Sequence, residues 1–155
     1  MDLKDRVVLV TGGATGLGRE VSLDLAKEGM KVVVNYSRSE ADANETVKAI
    51  EDLGGTAIAI QADVSKKEEV DRMVERIIET FARIDVLVAN AGTTVFRPFD
   101  DLDGVTEEDW DRIMAVNVKG VWLTAKAVAP HMKKQGEGRI VVTTSIAGIR
   151  PTGSS

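Results

Sequence analysis

Five short, uninterrupted apolar runs divide the chain at regular intervals: Val7–Val10, Val32–Val34, Ala57–Ile60, Val86–Val88 and Ile140–Val142. A run that is apolar at every position has no wet face, so each predicts a strand covered on both sides rather than a half-exposed antiparallel one. The segments between the runs change to helical spacing. Leu17, Val21 and Leu25 form one stripe, Val47, Ile50 and Leu53 a second, and Val70, Met73, Val74, Ile77, Ile78 and Phe81 the clearest. Helix starts are marked by a hydroxyl three residues before a carboxylate, in Ser39 with Asp42, Ser65 with Glu68 and Thr106 with Asp109. Gly29 and the pair Gly54-Gly55 mark helix ends. Strands alternating with helices imply right-handed crossovers and an α/β, doubly wound parallel sheet of order 3-2-1-4-5. A long loop, Ala89 to Val105, follows the fourth strand, and two helices precede the fifth. At 155 residues the whole chain, 1–155, reads as a single domain without repeats or an internal linker.

In sheets of this kind ligands lie beyond the carboxyl ends of the strands where strand order reverses, here between the first and fourth. Two glycine-bearing stretches land there: Thr11-Gly12-Gly13-Ala14-Thr15-Gly16-Leu17-Gly18 and Asn90-Ala91-Gly92. Gly13 and Gly18 have the spacing of the phosphate loop of nucleotide hydrolases, but Arg19 and Glu20 stand where that chemistry needs Lys and Ser or Thr. The G-x-G-x-x-G fingerprint fails as well, because Ala14 occupies its second glycine. A longer turn, Thr11-Gly12-x-x-x-Gly16-x-Gly18, still turns bare amides and the positive end of a helix toward a pyrophosphate. The alternative, glycines kept only for tight packing, sits poorly with their entropic cost.

Composition narrows the partner. With 20 Lys and Arg against 25 Asp and Glu the formal net charge is -5, which disfavours a phosphate-coating surface and nucleic acid as partner. The absence of cysteine removes disulfides, thiolate zinc sites and cysteine nucleophiles, and no metal site is expected. The charged start Met1 to Arg6, followed by only a short apolar run, is no signal peptide or membrane span, so the expected location is cytoplasmic with no membrane partner.

The glycine turn, then Asp63-Val64, Asn90-Ala91-Gly92, Asn117-Val118-Lys119-Gly120 and Ser145, match in order and spacing the short-chain dehydrogenase/reductases. The resemblance runs from end to end of the chain and is nearest to 3-oxoacyl-carrier-protein reductases and sugar or polyol dehydrogenases. It implies a Rossmann-type fold, hydride transfer between a nicotinamide cofactor and a carbonyl or alcohol, and a homo-oligomer, tetramer or dimer. The cofactor-facing residues it implies are Thr11, Gly12, Thr15, Gly16, Leu17 and Gly18 around the phosphates, and Asn35, Tyr36, Ser37 and Arg38 after the second strand. Asp63 and Val64 would border the adenine, and Asn90, Ala91 and Gly92 would form the floor. For Asp63 a helix-proximal cap beside Ser65 is the alternative. Ser145 would orient the carbonyl oxygen and Asn117 would hold a water in a proton relay. From the residues alone, Ser145 ends a strand at the ligand edge, where an oxygen-binding donor is useful. Asn117 lies in the apolar run Ile113 to Val121, where a buried amide needs partners.

The second strand ends Asn35-Tyr36-Ser37-Arg38-Ser39, with no acid before Glu40. An acid there would bind a ribose 2′-hydroxyl, whereas an Arg accommodates a 2′-phosphate, so NADP(H) is expected over NAD(H). Arg38 as a solvated surface charge is the alternative. The resembled family's Tyr-x-x-x-Lys pair would follow Ser145 by about a dozen residues and is not among these 155; the only tyrosine is Tyr36. His131, beside Pro130, reads as structural or exposed. The apolar helix around Val116 to Ala129 and the apolar edge strand Gly138 to Ser145 both expect further cover, as in the N-terminal portion of a longer enzyme. A non-catalytic dinucleotide-binding module or redox sensor is the alternative reading. Arg97, Phe99, Ile149 and Arg150 are candidates to face substrate.

Overall fold

A computed structural model describes residues 2–98, 100–101 and 103–149. Phe99 and Arg150, two of the residues expected to face substrate, lie outside the described residues. The elements are β1 (Val7–Val10), α1 (Gly16–Lys27), β2 (Lys31–Tyr36), α2 (Glu40–Asp52), β3 (Thr56–Gln61), α3 (Lys67–Phe81), β4 (Val86–Ala89), α4 (Glu107–Met114), α5 (Gly120–Gln135) and β5 (Arg139–Val142). All strand pairings are parallel and the order is β3-β2-β1-β4-β5, as the alternation of elements required.

Two cores explain why β1 and β4 are apolar at every position. Val7 and Leu9 of β1 join Leu87 and Ala89 of β4 under α3 and α5, against Val70, Met73, Ile77, Leu123 and Val128. The alternate residues Val8, Val10, Val86 and Val88 join Val32 and Val34 on the opposite face, under α1 and α2. Successive strand side chains point to opposite faces, so one run fills both layers.

Several local expectations need correction. Ser65 does not cap α3. The helix starts at Lys67 with Lys66 flanking it, because the Ser65 amide and hydroxyl both donate to Asp63 Oδ1, at 2.9 and 2.7 Å. Ser39 stands at the start of α2 but makes no side-chain cap bond. Leu53 falls after the last turn of α2 and is 57% exposed rather than part of the core stripe. The two helices before β5 form one continuous rod, since α4 passes into α5 through a π-helical segment, Ala115–Lys119. The Thr106 cap is present, with its hydroxyl accepting from the Asp109 amide at 3.2 Å. Thr106→Ala should therefore lower the unfolding free energy by about 1 kcal/mol in urea titrations.

The cover expected over α5 and β5 is found on the sheet side only. Leu123, Val128 and Met132 are buried, while Val118 and Trp122 are more than half exposed, with Lys126 Nζ 4.7 Å above the Trp122 ring. All of β5 is exposed, because among the described residues it pairs with β4 and no helix lies beyond it.

Candidate cofactor site

The cleft opens where β1 and β4 separate, at the carboxyl edge of the sheet, and encloses about 530 Å³. Its walls are the β1–α1 glycine turn, the β2–α2 and β3–α3 turns, the stretch after β4, and Arg112, Ala115 and Val116 from α4 and the π-helical segment. That volume lies in the ordinary range for a ligand site.

The glycine turn is built for close approach. Gly12 has φ +63°, and a Cβ there would lie 3.0 Å from Ala91 Cα. A Cβ on Gly18 would run into the Gly12 carbonyl oxygen and sit 2.7 Å from Asn90 Nδ2. The backbone thus closes on itself at positions where any side chain would stand in the way. The amides of Gly16, Leu17 and Gly18 open α1 and have no carbonyl four residues back within the helix. The first turn carries no acidic side chain, so its positive end is left uncompensated beside the cleft. Leu17, expected on the core stripe of α1, is 60% exposed because its turn overhangs this edge, and it lines the cleft instead.

The turn is braced from several sides. Thr11 Oγ1 accepts from the amides of Asn90 and Ala91, at 2.9 and 3.0 Å. Asn90 Nδ2 donates to the Thr11 carbonyl at 3.2 Å, and Thr143 Oγ1 donates to Asn90 Oδ1 at 3.2 Å. Thr46, fully buried on α2, donates to the Ala14 carbonyl at 3.0 Å. Asn35 Oδ1 accepts from the Gly12 amide at 3.3 Å. Thr11 lies behind the cleft and acts through its neighbours, whereas Asn35 and Asn90 line it as well as bracing the turn; Thr15 and Leu17 are exposed in the lining, and Gly16 is exposed outside it.

On the opposite wall, Ser37, Arg38 and Ser39 are exposed and line the cleft, and Tyr36 is half-buried. Partial burial, assisted by Glu40, pushes the Tyr36 phenol above its usual pKa. Asp63 lies on the β3–α3 turn beside buried Val64. Burial raises the Asp63 pKa, but the Ser65 hydroxyl and amide, with Lys66 and Arg38, outweigh it and hold the carboxyl below its ordinary value. Asp63 is thus a fixed anion facing the cleft from a turn whose own amide donates to Glu69 Oε2 at 2.7 Å.

Asn117 and Ser145 lie at the same edge. Asn117 is exposed rather than buried. Its side chain pairs in both directions with Thr93, accepting from the amide at 2.8 Å and donating to the carbonyl at 2.9 Å. It thereby fastens the π-helical segment to the stretch after β4, and π-helical turns recur at functional sites. Ser145 is exposed three residues beyond β5, and its hydroxyl accepts from the Ala147 amide at 3.1 Å. Arg97 is engaged within its own loop, donating to the Gly104 carbonyl at 2.7 Å, and Ile149 is 85% exposed. His131 is half-buried on α5, away from the cleft lining.

Sequence reasoning missed Thr46, Glu69, Thr93, Thr143 and Arg112. Thr46 alone left a signal, as a polar residue between Ala43, Val47 and Ile50 on a helix stripe that is otherwise apolar. The others are exposed or half-buried polar residues whose partners come from distant elements.

A parallel sheet that reverses order above a glycine turn, with uncompensated helix amides on one wall of the cleft and Arg38 on the other, defines a Rossmann-type α/β protein. The chain belongs to the short chain dehydrogenase family, whose pattern it matches over residues 6–154. It is 45% identical over 147 residues to the 3-oxoacyl-[acyl-carrier-protein] reductase of Synechocystis sp., covering 95% of this chain and 58% of that protein. It is 40% identical to a hydroxynaphthalene reductase-like protein of Metarhizium guizhouense, covering 94% of this chain and 52% of the relative. The crystal structure of a short chain dehydrogenase from Burkholderia cenocepacia in complex with NADP superposes with a TM-score of 0.87 at 37% identity, covering 100% of this chain and 61% of that one. The chain thus spans somewhat more than half the length of these relatives. Among the described residues no helix is long and apolar enough to cross a membrane, and no cluster of metal-ligating side chains is present.

Proposed function

We propose that these residues form the cofactor-binding part of an oxidoreductase that transfers a hydride between NADP(H) and a carbonyl or alcohol substrate. The observation that carries the reading is the cleft itself, in which bare helix amides oppose the acid-free Ser37-Arg38-Ser39 wall. When bound, NADPH supplies the hydride. The chain's residues do the holding: Gly16, Leu17 and Gly18 offer amides to the pyrophosphate, and Arg38 with Ser37 and Ser39 receives the 2′-phosphate. Asp63 and Val64 border the adenine, with Tyr36 at the rim and Gly92 below. Ser145 is assigned to orient the substrate oxygen, and Asn117 to hold the relay next to it. Ser145 lies at the carboxyl edge, and the Asn117 side chain, with one donor and one acceptor engaged by Thr93, keeps a second N–H and a second lone pair for a water. The Tyr-x-x-x-Lys pair that completes proton transfer is assigned to residues outside these 155. The relatives' greater length and the exposed apolar face of β5 and α5 support that assignment. A cytoplasmic location and a homo-oligomer, dimer or tetramer, belong to the same proposal.

Arg38→Ala should raise the Kd for NADPH roughly 10- to 100-fold, since a charge-assisted bond is lost, and leave that for NADH within a factor of about two. Equal losses for both cofactors would remove Arg38 from specificity. The reaction itself is tested with the full-length protein and NADPH over panels of ketones, sugars and acyl thioesters. Turnover on one panel supports the enzyme, and NADPH binding without turnover on any favours the non-catalytic binding module.

A further inference from the structure

Asn35 lines the cleft, but its side-chain amide is already engaged by backbone. It is 1% exposed at the end of β2, and its side-chain amide is surrounded by backbone from three segments. Oδ1 accepts from the Gly12 amide at 3.3 Å, while Nδ2 lies 3.0 Å from the Ala62 carbonyl and 3.3 Å from that of Ile60. Its own carbonyl accepts from the Gly13 amide at 3.0 Å. The β2–β3 ladder ends with Tyr36 opposite Gln61, so the contact to Ala62 extends the tie past the last paired residues. Gly12 opens the phosphate-facing turn and Ala62 directly precedes Asp63.

We infer that Asn35 is a positioning residue that fixes the spacing between the glycine turn and the Asp63 turn, and so the width of the adenine half of the cleft. The inference rests on the cofactor reading above. A short side chain with both a donor and an acceptor is needed for it. Leucine could satisfy neither the Gly12 amide nor the Ala62 carbonyl. Aspartate would keep the first partner and turn an oxygen toward the carbonyls of Ile60 and Ala62. Removing the amide leaves the main-chain bonds from Gly13 to the Asn35 carbonyl and from Ala62 to the Tyr36 carbonyl, and deletes the side-chain tie between the two walls.

The test titrates NADPH and 2′,5′-ADP against the wild-type chain, Asn35→Ala and a control. Gln135→Met is the control because Gln135 brackets the Ile84 amide and carbonyl, at 3.1 and 2.9 Å, at the far edge of the sheet. Asn35→Ala is expected to weaken both ligands at least about tenfold. Gln135→Met should lower the urea midpoint comparably and leave both dissociation constants within about twofold. Wild-type affinity in Asn35→Ala, or equal weakening in Gln135→Met, overturns the inference. If Asn35→Ala does not fold, Asn35→Asp, which conserves volume and the Gly12 acceptor, is judged by the same criteria. Failure of the wild-type chain to bind NADPH overturns the underlying cofactor reading, and this inference with it.

Discussion

Gly18→Ala should weaken NADPH binding roughly 100-fold while leaving most of the fold in place. The added Cβ would meet the Gly12 carbonyl oxygen, the Gly12 carbonyl carbon at 2.9 Å and Asn90 Nδ2 at 2.7 Å. Two of these are backbone atoms, which cannot turn aside. Either α1 retreats from the sheet or Gly12 is driven into the cleft, and both displace the amides proposed to hold the pyrophosphate. Overpacking of this kind costs about 1–3 kcal/mol. If most of that cost falls on the bound state, the Kd rises roughly 100-fold. Gly54→Ala is the useful comparison, because its Cβ meets open space but its φ is +79°. It should destabilise by about 1 kcal/mol and leave cofactor affinity unchanged. A Gly18→Ala Kd within threefold of wild type would show that the turn does not approach a ligand closely.

The largest loss of stability is expected at the other edge of the sheet. Asp85 is fully buried ahead of β4 and accepts from the Val7 amide at 2.9 Å, from Arg6 Nη1 at 3.0 Å and from Arg83 Nε at 2.8 Å. It therefore joins the starts of β1 and β4, and Glu137, just before β5, pairs with the same Arg6. Asp85→Ala strands the Val7 amide and leaves two guanidiniums without their shared carboxylate. Breaking a buried pair costs about 3–5 kcal/mol. The lower end is expected here, because both arginines keep Glu137 and some solvent.

The same group sets an acid limit. Burial raises the Asp85 pKa, but bonds from Arg83, the Val7 amide and Arg6 outweigh it, so the folded pKa lies below the usual carboxylate value. Its contribution is thus complete above the unfolded pKa of about 4 and is lost as pH falls through the lower folded value. Asp85→Asn should flatten the fall in stability below about pH 4, as measured by urea unfolding across pH. An unchanged slope would place the titrating group elsewhere.

The strands were legible because parallel strands buried on both faces must be apolar at every position. Val7–Val10 and Val86–Val88 state that in four and three residues. Strand order followed from chain connectivity. The glycine turn was legible because its backbone demands exclude most other residues. What stayed hidden depends on distant partners. Ser65 had the spacing of a cap, but Asp63, two residues away, competed successfully for both its donors. Leu17 had core spacing, but spacing does not say where a helix overhangs its sheet. Asn35 does line the cleft, but its contacts with Gly12, Ile60 and Ala62 come from three elements and leave no trace in the sequence. Asn117 was expected to need buried partners and found one at the surface, in Thr93.

Equilibrium titration of the chain with NADPH and NADH, followed by calorimetry or by the ligands' own fluorescence, tests the central claim most directly. Binding of NADPH at least about tenfold tighter than NADH, with the difference removed by Arg38→Ala, is the predicted result. Tighter binding of NADH, or binding of neither, would contradict it.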